Sequence, residues 1–265
     1  MSASLRRPLT STDHKYSRGV VGVVAGSAKY PGAAVLTVGG ARHGGSGYVK
    51  FLDTDHFVTS LVLQRFPDVV PISKIDGERI DALVVGPGGA ELTDIPDSIP
   101  VVFDSGALAR ARSKRNGVTV ITPHEGELEA LGYSLGDRKE TAEKIARELN
   151  LIVVLKGNRT LTAAPDCETL VDEIGGPELA TAGTGDILAG LIGSMLASWK
   201  PTTLKQSQQV VARAVELHSR AGALAPRYLL LGGDATHDGD KKNRERTIVP
   251  THLSRIPGWG PGSND

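Results

Sequence analysis

Short, β-branched apolar runs recur in the first 160 residues, and each predicts a buried strand. They end at glycine, proline or polar residues, and they comprise residues 20–25, 49–52, 82–85, 101–104, 118–122 and 152–156. Between the last two runs, Ala142, Ile145, Ala146 and Leu149 recur at helical spacing opposite a charged face. Strands that alternate with helices predict a mostly parallel α/β sheet with both faces covered.

The last third of the chain is patterned as helix. Residues 187–199 carry an apolar stripe at helical spacing, and small residues cover the other faces, so this helix is expected to pack closely on several sides. Pro201 ends it, and a second helix is predicted over residues 204–224. Residues 232–247 are polar without periodicity and predict an exposed loop, so that residues 1–13 and 232–247 are the expected flexible segments. With no long linker before residue 230 and no internal repeat, residues 1–265 are interpreted as one domain.

Charge and composition exclude several classes of protein. The chain has 30 basic and 30 acidic residues among 265, so it lacks the basic footprint of a non-specific nucleic-acid or membrane-surface binder. Its longest nearly apolar run is too short for a membrane helix, and no secretory signal is visible at the start. A single cysteine, Cys167, excludes an intramolecular disulfide. We therefore expect a cytoplasmic protein with no nucleic-acid or membrane partner.

Glycine is abundant, with 32 residues, and it clusters in turns that follow the predicted strands. The sharpest of these turns runs from Ala180 to Asp186 and leads into the apolar helix. Four of its residues offer backbone N–H groups for an anion hole at a helix N-terminus, namely Ala182, Gly183, Thr184 and Gly185. Asp186 can accept a proton from a substrate hydroxyl that attacks a phosphate. The alternative is that Asp186 only caps the helix.

Two further motifs follow predicted strands. Lys156, Gly157, Asn158, Arg159 and Thr160 can approach nucleotide phosphates, although a hairpin turn with a solvated lysine is the common outcome for such a motif. His124 and Glu127, in the motif Thr-Pro-His-Glu-Gly-Glu, can contact a substrate or position a cation through water. The alternative there is a proline turn that starts a helix, with Glu127 in its first turn. The turn at Gly88 and the one before Ala33 are weaker signals of the same kind.

Several known motifs are missing from the sequence. There is no P-loop, no dinucleotide fingerprint after the first strand, no nucleophile elbow and no zinc-protease motif. The seven histidines lack metal-ligand spacing. His14, His43 and His218 are therefore expected to be surface residues or satisfied interior residues, and not ligands.

Taken in order, the motifs resemble the NAD(P)H-hydrate dehydratases of the ribokinase-like superfamily. The segments that carry the resemblance are His14 to Gly19, Ala25 to Ser27, Tyr30 to Ala34, Val85 to Gly88, Asp104 to Leu108, Thr122 to Glu127, Leu155 to Thr160 and Ala180 to Asp186. The Thr-Pro-His-Glu-Gly-Glu and Leu-Lys-Gly motifs before the Ala180 turn are specific to this group, whereas the turn alone marks the broader superfamily.

The resemblance implies a ribokinase-like three-layer α/β/α fold with a mostly parallel central sheet. It implies ADP-dependent dehydration of the S-epimer of NADHX or NADPHX, with ATP as the other possible donor and release of AMP and phosphate. Asp186 would be catalytic, and Ala33, Gly88 and His124 would join it in binding the hydrate. The AMP part of the nucleotide would lie against Lys156, Gly157, Asn158, Arg159, Thr160 and Gly185. Mg²⁺ would be held mainly by phosphates and water, without direct protein ligands.

The family is also the source of two expectations about partners. Relatives are often tetramers, so a homotetramer is expected, and 265 residues leave no room for the family's companion epimerase, which would be a separate protein. The sequence departs from the family pattern at Gly89 and at Ser105-Gly106. Two alternatives stay open: a thiazole or hydroxymethylpyrimidine kinase of the same superfamily, in which phosphate stays on the product, and a non-catalytic nucleotide-binding relative.

Overall fold

Nine strands form one sheet in the computed structural model, which describes residues 5–112, 114–129 and 131–230, with side chains as far as residue 224. The strands are β1 Val20–Val24, β2 Tyr48–Leu52, β3 Val70–Ile72, β4 Ala82–Val85, β5 Val101–Phe103, β6 Thr119–Ile121, β7 Ile152–Leu155, β8 Thr160–Ala163 and β9 Leu170–Asp172. Their order is β3-β2-β1-β4-β5-β6-β7-β8-β9. The first seven strands are parallel to one another, and β8 and β9 pair in antiparallel fashion at one edge.

Helices cover both faces of the sheet. Their bounds are α1 Pro31–His43, α2 His56–Arg65, α3 Glu125–Leu128, α4 Arg138–Leu149, α5 Thr184–Trp199 and α6 Leu204–Leu230. Within each central strand, alternate side chains enter opposite cores: Ala82 and Val84 pack with α1, α5 and α6, whereas Leu83 and Val85 pack with α4. Strands buried on both faces need continuous apolar runs, which is the pattern that the sequence shows. The expected three-layer α/β/α arrangement is confirmed.

All six strands predicted from the sequence form, with ends that differ by a residue or so. Helix α2 and strand β3 were not predicted from the sequence, although the Asp55 side chain accepts hydrogen bonds from the amides of Phe57 and Val58 and so caps α2. Strands β8 and β9, which are partly polar, were not predicted either. The predicted loop at residues 232–247 lies outside the described residues. Among the described residues, every helix is too short or too polar to cross a bilayer.

Helix α5 is buried along its length and packs against α1, α6 and the sheet. Small residues make this possible, because a Cβ at Gly190 would overlap the Thr37 carbonyl of α1, and one at Gly40 would overlap the Ile187 carbonyl of α5. The predicted interior helix with close contacts on several sides is therefore confirmed. The packing matters for the site, because Ile187 directly follows Asp186.

Two glycines of α1 provide a matched test of this packing. Gly40→Ala is expected to lower the free energy of unfolding by about 3 kcal/mol, because helix backbones must separate to accept the methyl group. Gly32 has open space around its Cα, so Gly32→Ala is expected to be neutral or to stabilise by up to about 1 kcal/mol. Urea denaturation of both variants measures the difference. Equal effects would show that the contact between α1 and α5 is looser than described.

Candidate active site

A cleft of about 780 Å³ opens where the loops after β5, β6 and β7 meet the N-terminus of α5. In a parallel sheet the carboxyl ends of the strands lie at one edge, and ligands bind there. The predicted site residues that line this cleft are His124, Lys156, Gly157, Asn158, Thr160, Ala182, Gly183, Thr184, Gly185 and Asp186. The rest of its wall is formed by residues 175–177 and 179–181, by the α6 residues His218 and Ser219, and by Asp104, Ser105, Glu127 and Leu188.

Three predicted site residues lie outside the cleft. Ala33 and Gly88 contact each other beside the loops that follow β1 and β4, which come next along the same edge of the sheet. Arg159 points away: its guanidinium lies 3.4 Å from Glu173, and its side chain is 65% exposed. The two departures from the family pattern are neighbours, because a Cβ on Gly106 would lie 3.3 Å from the Cα of Gly89.

Lys156 is the cation at the centre of the cleft. Its Nζ donates to Oδ1 of the buried Asp104 at 3.0 Å and lies 3.7 Å from Glu127 Oε2. It also packs against the helix N-terminus, since a Cβ on Gly185 would lie 3.2 Å from it. The predicted alternative of a hairpin turn is correct for the backbone, because β7 and β8 form a hairpin. The lysine itself is mostly buried and paired, so it is not the solvated side chain of that alternative.

Asp186 lies in the first turn of α5 and keeps its proton unusually well. Burial and, to a smaller extent, the negative charge of Asp104 raise its pKa to about 7, and Lys156 opposes the shift. A carboxylate that titrates near neutral pH can act as a general base at physiological pH. The alternative that Asp186 only caps the helix is wrong, because the N-cap residue of α5 is Gly183.

The turn before α5 is held by its own hydrogen bonds. Gly183 has φ of 93°, a left-handed conformation that favours glycine. The Thr184 hydroxyl donates to the carbonyls of Leu179 and Thr181 at 2.8 and 2.9 Å. The Thr184 amide differs from its predicted role, because it already donates to the Thr181 carbonyl at 3.3 Å. An anion hole here would therefore depend on the other amides of the turn.

His124 and Glu127 form a helix start at the rim of the cleft. The His124 amide donates to Glu127 Oε2 at 2.8 Å in a capping box, as the structural alternative predicts. Glu127 also faces Lys156, and the His124 side chain is 59% exposed to the cleft and solvent. The capping geometry thus fixes both side chains without removing them from the site.

Two residues that line the cleft, Asp104 and His218, were not predicted from the sequence, and neither was Arg138, which supports the adjacent hairpin. Asp104 accepts hydrogen bonds from Thr122 Oγ1 at 2.6 Å and Ser105 Oγ at 3.1 Å, besides that from Lys156. Arg138 donates to the carbonyls of Arg159 and Lys156 and so supports the hairpin. The position of Asp104 at a strand end was the available signal. The two basic residues lie on helices, where only the tertiary structure shows what they face.

His218 contradicts the expectation of a satisfied interior residue. It is 5% exposed, and its Nε2 has no hydrogen-bond partner among the described residues. His43 agrees with the expectation, because its ring bonds the Gly39 carbonyl within α1. His14 is exposed.

The carboxylates of the cleft suit an ion held mainly by phosphates. Within the described residues, no three or more His, Cys, Asp or Glu side chains come together as a metal-binding group. Asp186 and Glu127 nevertheless line the cleft. Mg²⁺ commonly keeps several waters and takes one or two carboxylates besides substrate phosphates, so these residues fit that mode of binding.

The raised pKa of Asp186 predicts a specific dependence of stability on pH. The folded protein holds this proton up to about pH 7, whereas an unfolded Asp loses it near pH 4. The contribution of Asp186 to the free energy of unfolding therefore decreases as the pH rises from about 4 to about 7. Asp186→Asn removes that loss. We expect the variant to exceed the wild type by roughly 2 kcal/mol at pH 8 and by little at pH 4. Urea denaturation at both pH values, with exposed Asp166→Asn as control, checks this; a difference independent of pH would contradict the raised pKa.

Comparison with known proteins shows sequence similarity to enzymes of NAD(P)H-hydrate repair. A family model described as NAD(P)H-hydrate dehydratase matches residues 21–243. The bifunctional NAD(P)H-hydrate repair enzyme Nnr of Mycobacterium tuberculosis is 39% identical, in an alignment that covers 72% of this chain and 43% of that protein. The ADP-dependent (S)-NAD(P)H-hydrate dehydratase of Lactococcus lactis is 32% identical, in an alignment that covers 82% of this chain and 86% of that one. The chain thus spans about half the length of the bifunctional relatives that it matches.

A solved structure agrees with these matches. The ADP/ATP-dependent NAD(P)H-hydrate dehydratase of Bacillus subtilis, co-crystallised with ATP and Mg²⁺, superposes with a TM-score of 0.75 at 28% identity. The match covers 95% of this chain and 92% of that one. The expected ribokinase-like fold is therefore confirmed.

Proposed function

Because the chain belongs to the NAD(P)H-hydrate dehydratase family, we propose that it dehydrates the S-epimer of NADHX and NADPHX at the expense of ADP. The observation that carries the proposal is that Asp186, with a pKa of about 7, lines the same cleft as Lys156 and the N-terminus of α5. A base, a cation and helix amides are what phosphoryl transfer to a hydroxyl requires.

The proposed reaction has two steps. In the first, Asp186 accepts the proton of the 6-hydroxyl as that oxygen attacks the terminal phosphorus of ADP; the bond to the bridging oxygen breaks and AMP leaves. In the second, the C6–O bond breaks and phosphate leaves, and loss of the C5 proton restores the ring double bond. Of the two protons released, one ends on the departing phosphate and the other leaves Asp186 for solvent, so the sum is hydrate plus ADP to NAD(P)H, AMP, phosphate and a proton. Phosphate is a better leaving group than hydroxide, which explains why a nucleotide is consumed.

The chain's own residues support the first step by charge. Lys156, Ala182, Gly183 and Gly185 line the cleft, and the Lys156 ammonium with the amides of the other three residues would stabilise negative charge on a transferring phosphoryl group. The Asp104 carboxylate holds Lys156 in place before the nucleotide binds. Mg²⁺, when bound to the phosphates, would supply further neutralisation of their charge.

The substrate would extend along the edge of the sheet. His124 lines the cleft near Asp186, and Ala33 and Gly88 lie at the next loops, so we propose that these three contact the hydrate. Gly157, Asn158 and Thr160 line the cleft on the hairpin side and would contact the AMP part, together with Gly185. Arg159 would need to turn away from Glu173 to join them.

Three finer points are part of the proposal. The donor would be ADP, as in the name of the Lactococcus lactis relative, and both NADHX and NADPHX would be substrates. The expected homotetramer rests on the motif resemblance, and sedimentation analysis tests it. A cytoplasmic location is proposed because the nucleotide substrates are available there.

The decisive assay combines the protein with NADHX and Mg²⁺ and follows the absorbance of NADH with ADP, with ATP and without nucleotide. Recovery that requires a nucleotide and releases one phosphate per NADH would establish the activity and its donor. Absence of recovery with either donor would reject it. A vitamin-precursor kinase would instead leave the phosphate on the product.

A further inference from the structure

His218 of α6 lines the cleft and carries a buried nitrogen that has no partner among the described residues. The Thr184 carbonyl receives a hydrogen bond from the ring, and since Nε2 has no partner among the described residues, this bond comes from Nδ1. Burial lowers the pKa of His218 to about 4, so the ring is neutral. A neutral ring that carries its proton on Nδ1 has a lone pair on Nε2.

Such an atom requires an explanation. A buried polar atom without a partner costs on the order of 1–3 kcal/mol, and native structures hold few of them. The adjacent polar groups are paired: Ser219 Oγ donates to Asp172 Oδ2 at 2.6 Å, and the Gly175 amide donates to the same oxygen at 3.1 Å. His218 is therefore the exception in its surroundings, and it lines the cleft.

The chemistry of the cleft indicates which ligand group would meet this atom. Lys156 and the α5 N-terminus provide positive charge in the cleft, and Pro177 and Leu179, on the short segment that packs against α6, provide an apolar part of its wall. An ionised phosphate offers only acceptors and cannot satisfy an acceptor nitrogen. The nucleoside half of ADP carries donors, namely the ribose hydroxyls and the adenine amino group.

We infer that His218 is a further nucleotide-binding residue, whose Nε2 accepts a hydrogen bond from a donor on the nucleoside half of ADP. Nδ1 holds the ring against the first residue of α5, so that the acceptor is fixed in direction before the ligand arrives. The inference rests on the proposed function, because it takes this cleft to be the nucleotide site.

Calorimetric titration with ADP and Mg²⁺ tests the inference without relying on turnover. In His218→Asn the side-chain amide can replace Nδ1 as donor to Thr184 while Nε2 is removed. We expect about tenfold weaker binding of ADP, the effect of one hydrogen bond to a buried acceptor. His43→Asn is the matched control: His43 is also buried with its ring on a backbone carbonyl, but it lies on α1 outside the cleft, and its substitution should leave ADP binding unchanged.

Nucleotide analogues identify the donor. Inosine diphosphate lacks the amino group, and 2′-deoxy-ADP and 3′-deoxy-ADP each lack one hydroxyl. We expect the wild type to bind one of them about tenfold more weakly than ADP, and His218→Asn to bind that analogue and ADP about equally. If His218→Asn binds ADP more weakly but still distinguishes ADP from the analogues as the wild type does, the role of His218 is purely structural and the inference is overturned.

The remaining outcomes are separable. A wild type that binds ADP but does not distinguish it from any of the three analogues overturns the inference even where His218→Asn fails to fold, which thermal unfolding would detect. A wild type that does not bind ADP rejects the proposed function. A third outcome is that ADP binds and that His218→Asn loses the discrimination between ADP and one analogue, while NADH is not recovered from NADHX. That outcome rejects the dehydratase activity and keeps the assignment of His218.

Discussion

Asp186→Asn is expected to lower kcat for ADP-dependent recovery of NADH by about 10²- to 10⁴-fold, the usual contribution of a general base. The amide has the size of the carboxyl group but cannot accept the proton of the attacking hydroxyl. Binding of ADP should stay within a few fold of the wild type, since the change removes a negative charge from a phosphate site. Steady-state kinetics and calorimetry on the same preparation measure both quantities.

The pH profile gives this prediction a second readout. In the wild type, kcat/KM should fall as the pH drops below about 7, because Asp186 takes up a proton there. The residual kcat/KM of Asp186→Asn should not show this fall at low pH. Exposed Asp166→Asn, outside the cleft, should behave as the wild type. Full activity of Asp186→Asn would rule out the proposed mechanism.

Lys156→Met is expected to reduce both activity and stability. Loss of the ammonium removes charge stabilisation of the phosphoryl group, for which about a 10²- to 10³-fold fall in kcat is typical. It also leaves the Asp104 carboxylate buried without its cation, and breaking such a pair costs about 3–5 kcal/mol. The two losses have different causes, so a second substitution can separate them.

The double variant Asp104→Asn/Lys156→Met should recover most of the stability and none of the activity. The amide of Asn carries no charge: its oxygen can accept the hydrogen bond from Thr122, and its NH2 group can donate to Ser105 Oγ, which then acts as the acceptor. Lys200→Met is the matched control, because Lys200 pairs with Asp81 at the same 3.0 Å but at the surface, where an ion pair contributes about 0–1 kcal/mol. A Lys156→Met protein as stable as the wild type would show that Asp104 does not depend on this partner.

Much of the fold could be predicted from short-range pattern. The runs at 82–85 and 152–155 are apolar at every position because both faces of the sheet are covered, and this made them recognisable. Helix α5 was recognisable from its stripe and its small residues. Strands β8 and β9 were not, because threonines interrupt the apolar pattern of β8, and β9 is a partly exposed edge strand.

The candidate site divides in the same way. By itself, the sequence determined the chemistry available at each strand end: the glycine turn with Asp186, the Lys156 hairpin and the His124 helix start are local, since backbone turns and helix starts depend on adjacent residues. Only the tertiary structure decided that Asp104 pairs with Lys156, which is 52 positions away in the chain, and raises the pKa of Asp186. The free nitrogen of His218 and the outward position of Arg159 were likewise settled by packing, because burial and pairing depend on groups that the chain brings together only when it folds.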